Sequence, residues 1–110
     1  MNHSVKYSAQ AVRDLDRTWD EVFEASKSLE ITAKYINDLL DKIESKRMFP
    51  LSGIPLYYDD LFTGYYYVIF KSYLAFYSVE GNTMLVSRIL YAKSDYILKL
   101  NLKLEDDNQI

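Results

Sequence analysis

Between Gly64 and Tyr77 the chain reads GYYYVIFKSYLAFY, and no other stretch limits its folding more. Five of the eleven tyrosines fall here with Phe70 and Phe76, in two runs of β-formers broken only by Lys71 and Ser72. A two-residue break of this kind predicts a hairpin. Side chains alternate across a strand, so Tyr65, Tyr67 and Ile69 share one face while Tyr66, Val68 and Phe70 share the other. On the second strand Tyr73, Ala75, Tyr77 and Val79 oppose Leu74, Phe76 and Ser78. Both faces are apolar or aromatic, whereas a sheet wetted on one side would alternate apolar with polar. The pattern therefore predicts a sheet covered twice.

The rest of the chain supplies one large cover. HSVKYS reads as a short first strand, and Ser8 is placed to cap the helix that follows. From Ala9 to about Ala25, Val12, Leu15, Trp19, Val22 and Phe23 recur at steps of three and four. They predict an apolar stripe with Trp19 in the core and Arg13, Asp14, Asp16, Arg17, Asp20, Glu21 and Glu24 on the solvated remainder. Ser26 and Ser28 offer a new cap, and Ala33, Ile36, Leu39, Leu40 and Ile43 continue the spacing until Pro50 forbids further helix. So short a connection makes the two helices an antiparallel hairpin. PLSGIPLYYDDLFTG, residues 50–64, reads as a long irregular loop packed by Leu51, Ile54, Leu56 and Leu61. EGN then turns the second aromatic strand into TMLVSRIL, completing a three-strand meander with Arg88 on the same face as Met84, Val86 and Leu90, and SDYILKLNLKL is helix or strand. The expected fold is α+β: an N-terminal strand, a two-helix hairpin, and an antiparallel meander packed on the helices. Apart from the long loop and the C-terminal segment, nothing else is large enough to cover the second sheet face fully, so part of that face is expected to await a macromolecular partner.

With 110 residues, 49% of them hydrophobic, the chain suits a single domain over 1–110 with an acidic tail at about 105–110. There is no cysteine, so no disulfide or thiolate metal site can form, and no cluster with ligand spacing calls for a metal or any other cofactor. No apolar run approaches the roughly 18 residues of a membrane span, and the N-terminus lacks an apolar signal core. A cytoplasmic protein without membrane contact is expected. A net charge of −3 argues against general nucleic-acid binding, although residues 63–104 hold five Lys/Arg against two Asp/Glu.

The order of elements, together with DLLDKIESKRMFPLSGIPLYYDD, YLAFYSV and VSRILYAKSDY, resembles the RelE/ParE superfamily of toxins from bacterial type II toxin–antitoxin modules. Tyr73, Phe76, Tyr77 and Val79 match a pattern Y-x-x-F-Y-x-V of that superfamily, and Arg88, Ile89, Leu90 and Asp95 match R-I-L-x-x-x-x-D. The resemblance implies a growth-inhibiting toxin held by a cognate antitoxin, with operator DNA reached only through the antitoxin. RelE-like members resemble ribosome-dependent mRNA endonucleases, and ParE-like members resemble gyrase poisons without chemistry of their own. A remnant that binds antitoxin without toxicity is a third reading. The long helical hairpin favours the ParE-like one.

For an endonuclease, the resemblance makes Arg88 and Lys93 phosphate holders and Tyr91 the acid, with Tyr67 or Tyr77 stacking a splayed base. Tyr65, Tyr67, Tyr73 and Tyr77 are the candidate contacts for a partner. His3, the only histidine, sits at the first strand and is a poor proton carrier for this site. Asp95 reads as a cap for the last segment or a partner of Arg88. The strands of the aromatic hairpin carry no cation besides Lys71 in their turn, which is thin support for RNA cleavage.

Overall fold

The computed structural model describes residues 3–100. Strand β1, Ser4–Tyr7, leads into helix α1, Ala9–Ser26, and helix α2, Leu29–Glu44. A short 3₁₀ turn at Pro50–Ser52 precedes β2, Ile54–Tyr58; β3, Leu61–Phe70; β4, Tyr73–Glu80; β5, Thr83–Tyr91; and helix α3, Tyr96–Leu100. The five strands form one sheet in the order β1-β5-β4-β3-β2, antiparallel throughout except that β1 runs parallel to β5.

The helix boundaries follow from their caps. Ser8 Oγ accepts from the Ala11 N–H and Ser28 Oγ from the Ile31 N–H, each satisfying a donor the helix itself leaves free. Lys27, at φ 55°, closes α1 in the left-handed region, and α2 follows at once, antiparallel. α2 stops at Glu44, in turns that precede Pro50.

Three expectations are corrected. The stretch 50–64 is not an irregular wrap but a hairpin. Asp59 and Asp60, both at positive φ, form a two-residue turn whose twist matches its strands, and β2 and β3 pair across it. The meander thus has four strands; of the four residues expected to pack the loop, only Leu56 is buried. On α1 the buried face is Ala11, Asp14 and Thr18, while Trp19 is half-buried and Val12 exposed. Asp14, expected in solvent, is in the interior. Finally, Arg88 does not share a face with Met84 and Val86. A bulge at Ser87, where Tyr77 faces Val86 and Phe76 faces Arg88, flips the parity of the strand.

Two cores result. Between helices and sheet lie Ala11, Leu39, Ile43, Val68, Ala75, Tyr77, Met84, Val86 and Ile89. On the far side, α3 sets Leu100 against Leu56, Leu74, Phe76 and Leu90, with Tyr96 and Ile97 at the margin. The far face is therefore largely sealed by the chain itself, correcting the expectation of a bare flank; Ile69, 50% exposed, marks what stays open. The ambiguous C-terminal segment is helical over 96–100, and the remainder of it, with the acidic tail, lies outside the described residues.

Candidate functional site

The best-ordered polar array grows out of a shortage of strand. β1 is four residues long and pairs with β5 only as far as Val86, because the chain must turn into α1 at Ser8. Beyond Val86 the edge of β5 would be unpaired, and side chains of α1 complete it. Ser8 donates from its N–H to the Val86 carbonyl (2.9 Å) and from Oγ to the Ser87 carbonyl (2.9 Å). Asp14 Oδ2 accepts from the Ile89 N–H at 2.9 Å, and Arg17 Nη2 donates to the Ile89 carbonyl at 2.9 Å.

Asp14 is also gripped by two arginines. Arg88 donates to it twice, Nε to Oδ2 at 2.8 Å and Nη2 to Oδ1 at 3.1 Å, a forked geometry that suits a carboxylate. Arg17 Nη1 adds a third bond to Oδ1 at 2.8 Å. Burial alone would raise the pKa of the Asp14 carboxyl. The bonds from Arg88, the Ile89 N–H and Arg17 outweigh that and hold it below the usual carboxylate range. The third nitrogen of Arg88, Nη1, donates to the Lys99 carbonyl at 2.8 Å and so ties α3 to the sheet edge.

The array continues toward the strand ends. Arg17 Nε lies 3.7 Å from Glu21 Oε2, and the Tyr73 hydroxyl donates to Glu21 Oε1 at 2.6 Å. Burial first, then the bond and charge of Glu21, raise the Tyr73 pKa far above the ordinary phenol value. Tyr73 meets Tyr35 and Tyr91 edge-on, at 6.3 and 5.8 Å between ring centres. Glu21, Tyr73, Tyr91, Ser94 and Lys99 line an open groove there.

The proposed site residues separate in this arrangement. Arg88 has a side chain only 15% exposed, and each of its three nitrogens donates a bond to Asp14 or to the Lys99 carbonyl. Tyr91 is exposed at the end of β5, on the helix-side groove, and Lys93 is exposed in the turn just beyond the strand. Tyr65 and Tyr67 are half-buried at the margin of the far-side core. Tyr73 and Tyr77 are buried on the helix side, where their hydroxyls serve Glu21 and the Pro50 carbonyl, so they cannot stack on an incoming base or partner. Asp95 does not pair with Arg88; its carbonyl accepts from the Lys99 N–H in α3. Asp14 was missed because its neighbours were read by hydrophobicity alone. The available signal was its place one turn from Ala11 and Thr18, small residues able to sit close under a strand. Among the described residues no group of three metal-ligating side chains converges, and no helix is long and apolar enough to cross a membrane.

Comparison places this geometry among known folds. A family model described as the ParE toxin of the type II toxin–antitoxin system parDE matches residues 5–96. No curated protein matches the chain. Among solved structures, a chain of the chromosomal ParDE system from P. aeruginosa is similar at TM-score 0.69 and 18% identity, over 83% of this chain and 97% of that one. A chain of the toxin–antitoxin complex RelBE2 from Mycobacterium tuberculosis gives 0.56 and 18%, over 83% and 99%. A YoeB/ParE toxin from Agrobacterium tumefaciens gives 0.51 and 17%, over 80% and 96%. At these identities the likeness is one of fold.

Proposed function

The chain belongs to the ParE toxin family of type II toxin–antitoxin systems, and from that premise we propose that it arrests growth by binding a macromolecular target, gyrase in the ParE-like reading, and that a cognate antitoxin neutralises it. The observation that carries the non-catalytic part is the engagement of Arg88. Transesterification of RNA needs a cation on the developing phosphorane charge, with a base and an acid in reach. The arginine best matched to that task is bound to Asp14 and the Lys99 carbonyl, and β3 and β4 add no cation to replace it. Tyr91 and Lys93 alone supply an acid and one charge without a positioned partner. For the antitoxin, the open strip beside α3, with Tyr65, Tyr67 and Ile69, is the apolar surface on the far face.

Induced expression in a bacterial host tests the proposal. Growth should stop, and co-expression of the protein encoded by the adjacent reading frame should restore it. Plasmid isolated from arrested cells should show altered supercoiling. Unimpeded growth of the expressing cells would defeat the toxin reading, and arrest with normal plasmid topology would defeat the gyrase assignment.

A further inference from the structure

The last residues of β3 lie on an open edge of the sheet. β2 first meets β3 where Ile54 faces Tyr67, because the chain enters β2 at Gly53 from the 3₁₀ turn at Pro50–Ser52. β4 stays beside β3 as far as Phe70, so Val68, Ile69 and Phe70 have a strand on one side alone. In an antiparallel ladder the N–H and C=O of a residue point to the same neighbour, and the direction alternates along the strand. The tight Lys71–Ser72 turn makes Phe70 and Tyr73 a bonded pair, so Val68 and Phe70 serve β4 while both backbone groups of Ile69 point outward. Along β2 the same side of the sheet is blunted by Pro55, which has no N–H to offer.

The open edge borders a hollow of about 240 Å³ against the end of α2. Lys42 and Lys46, one turn apart, line it with Ser52, Gly53 and Ile54. No acidic side chain lines it, and neither lysine has an ion-pair partner among the described residues. Glu44, between them in sequence, instead accepts from the Tyr7 hydroxyl at 3.0 Å, toward β1. On the far face the half-exposed Ile69 side chain lies with Tyr65 and Tyr67 on the strip proposed for the antitoxin. The unpaired edge therefore joins a positive hollow to an apolar surface.

We propose that the antitoxin contributes an extended segment that adds to β3 at Ile69, with carboxylates set toward Lys42 and Lys46 alternating with apolar side chains beside Tyr67 and Ile69. This rests on the reading of the chain as a toxin held by an antitoxin. An unpaired strand edge is recognised by another polypeptide backbone, and side chains of an added strand alternate between its two faces. Uncompensated positive charge on one face and apolar surface on the other select acid alternating with apolar. The lysines alone would also suit a phosphate chain, and the peptide edge beside them is what favours a protein.

Calorimetric titration of the purified full chain with the protein encoded by the adjacent reading frame tests this. Lys42→Glu with Lys46→Glu should raise the dissociation constant by about tenfold or more, and Lys34→Glu, on the same helix but outside the hollow, by less than about twofold. Amide exchange followed by NMR needs no variant. The Ile69 N–H should exchange fast in the free chain and slow by about tenfold or more in the complex, whereas Val68 and Phe70, bonded to β4, should be slow in both. A complex that leaves Ile69 unprotected, or that is indifferent to the lysine reversals, overturns this inference while the toxin reading stands. Failure of the wild type to bind the adjacent protein overturns the antitoxin reading and the inference with it. A single-stranded oligonucleotide that the wild type binds and the double reversal releases would assign the lysines to nucleic acid, which also overturns the proposal.

Discussion

Replacing Asp14 by asparagine would remove one charge and almost no volume, which isolates the ionic part of the clasp between α1 and β5. The amide can still accept from the Ile89 N–H, but it offers Arg88 and Arg17 no negative charge. Breaking a buried pair by neutralising one partner costs about 3–5 kcal/mol when the other charge stays buried. Arg88 is largely but not wholly buried, and Arg17 is too exposed to count for much. An expectation of about 2–4 kcal/mol follows, a large share of the roughly 5–15 kcal/mol that holds a domain together. Urea unfolding at neutral pH, with Asp16→Asn on the exposed side of the same helix as control, measures it. The control should stay within about 0.5 kcal/mol of wild type. The pH dependence adds a signature. Because the folded carboxyl lies below its unfolded value of about 3.9, its contribution is complete above that value and is lost as pH falls through the folded pKa. The wild type should therefore lose more stability than the variant between pH 5 and pH 2, given as about the window that a depressed carboxyl sweeps. If Asp14→Asn costs no more than Asp16→Asn, the account of the β5 edge is wrong.

Further expectations follow from the same geometry. Gly53→Ala should cost about 1–3 kcal/mol, read as a lowered thermal midpoint, because the new Cβ would sit 3.0 Å from Tyr77 Cζ and closer still to the hydroxyl, forcing the phenol off the Pro50 carbonyl. Tyr77, whose pKa burial pushes up to about 12, stabilises the fold while neutral. That contribution is whole below the free phenol value of about 10 and fades as pH rises through 12, so Tyr77→Phe should show a smaller alkaline loss in a pH series of unfolding midpoints. Arg88→Met should loosen α3 by removing its tie to the Lys99 carbonyl, and amide exchange of Tyr96–Leu100 should speed up more than that of α2.

Much of the fold was legible in the chain, and the exceptions have physical reasons. Ser8 and Ser28 mark their helices because a cap is a local event, and Lys71–Ser72 marks its hairpin because the two strands beside it are strongly apolar. The Asp59–Asp60 turn was hidden by Pro55 and by the acids themselves, since neither is a common strand or hairpin signal, and Pro55 is tolerated here only on an edge strand. Alternation assigned the faces of β3 and β4 correctly but failed at Arg88, because one extra residue at Ser87 reverses everything after it and leaves no mark in composition. The clasp was illegible for a different reason. Asp14 and Arg88 are 74 residues apart and are joined only once β1 proves too short to cover β5.

The claim most exposed to refutation is that this toxin-family chain acts by binding and not by cutting. Genome-wide mapping of RNA 5′ ends, from cells arrested by its expression and from uninduced cells, addresses it directly. The account predicts the same set of ends in both. New ends inside translated reading frames, lost on replacing Tyr91 by Phe, would contradict it and return Tyr91, Lys93 and a released Arg88 to a catalytic role.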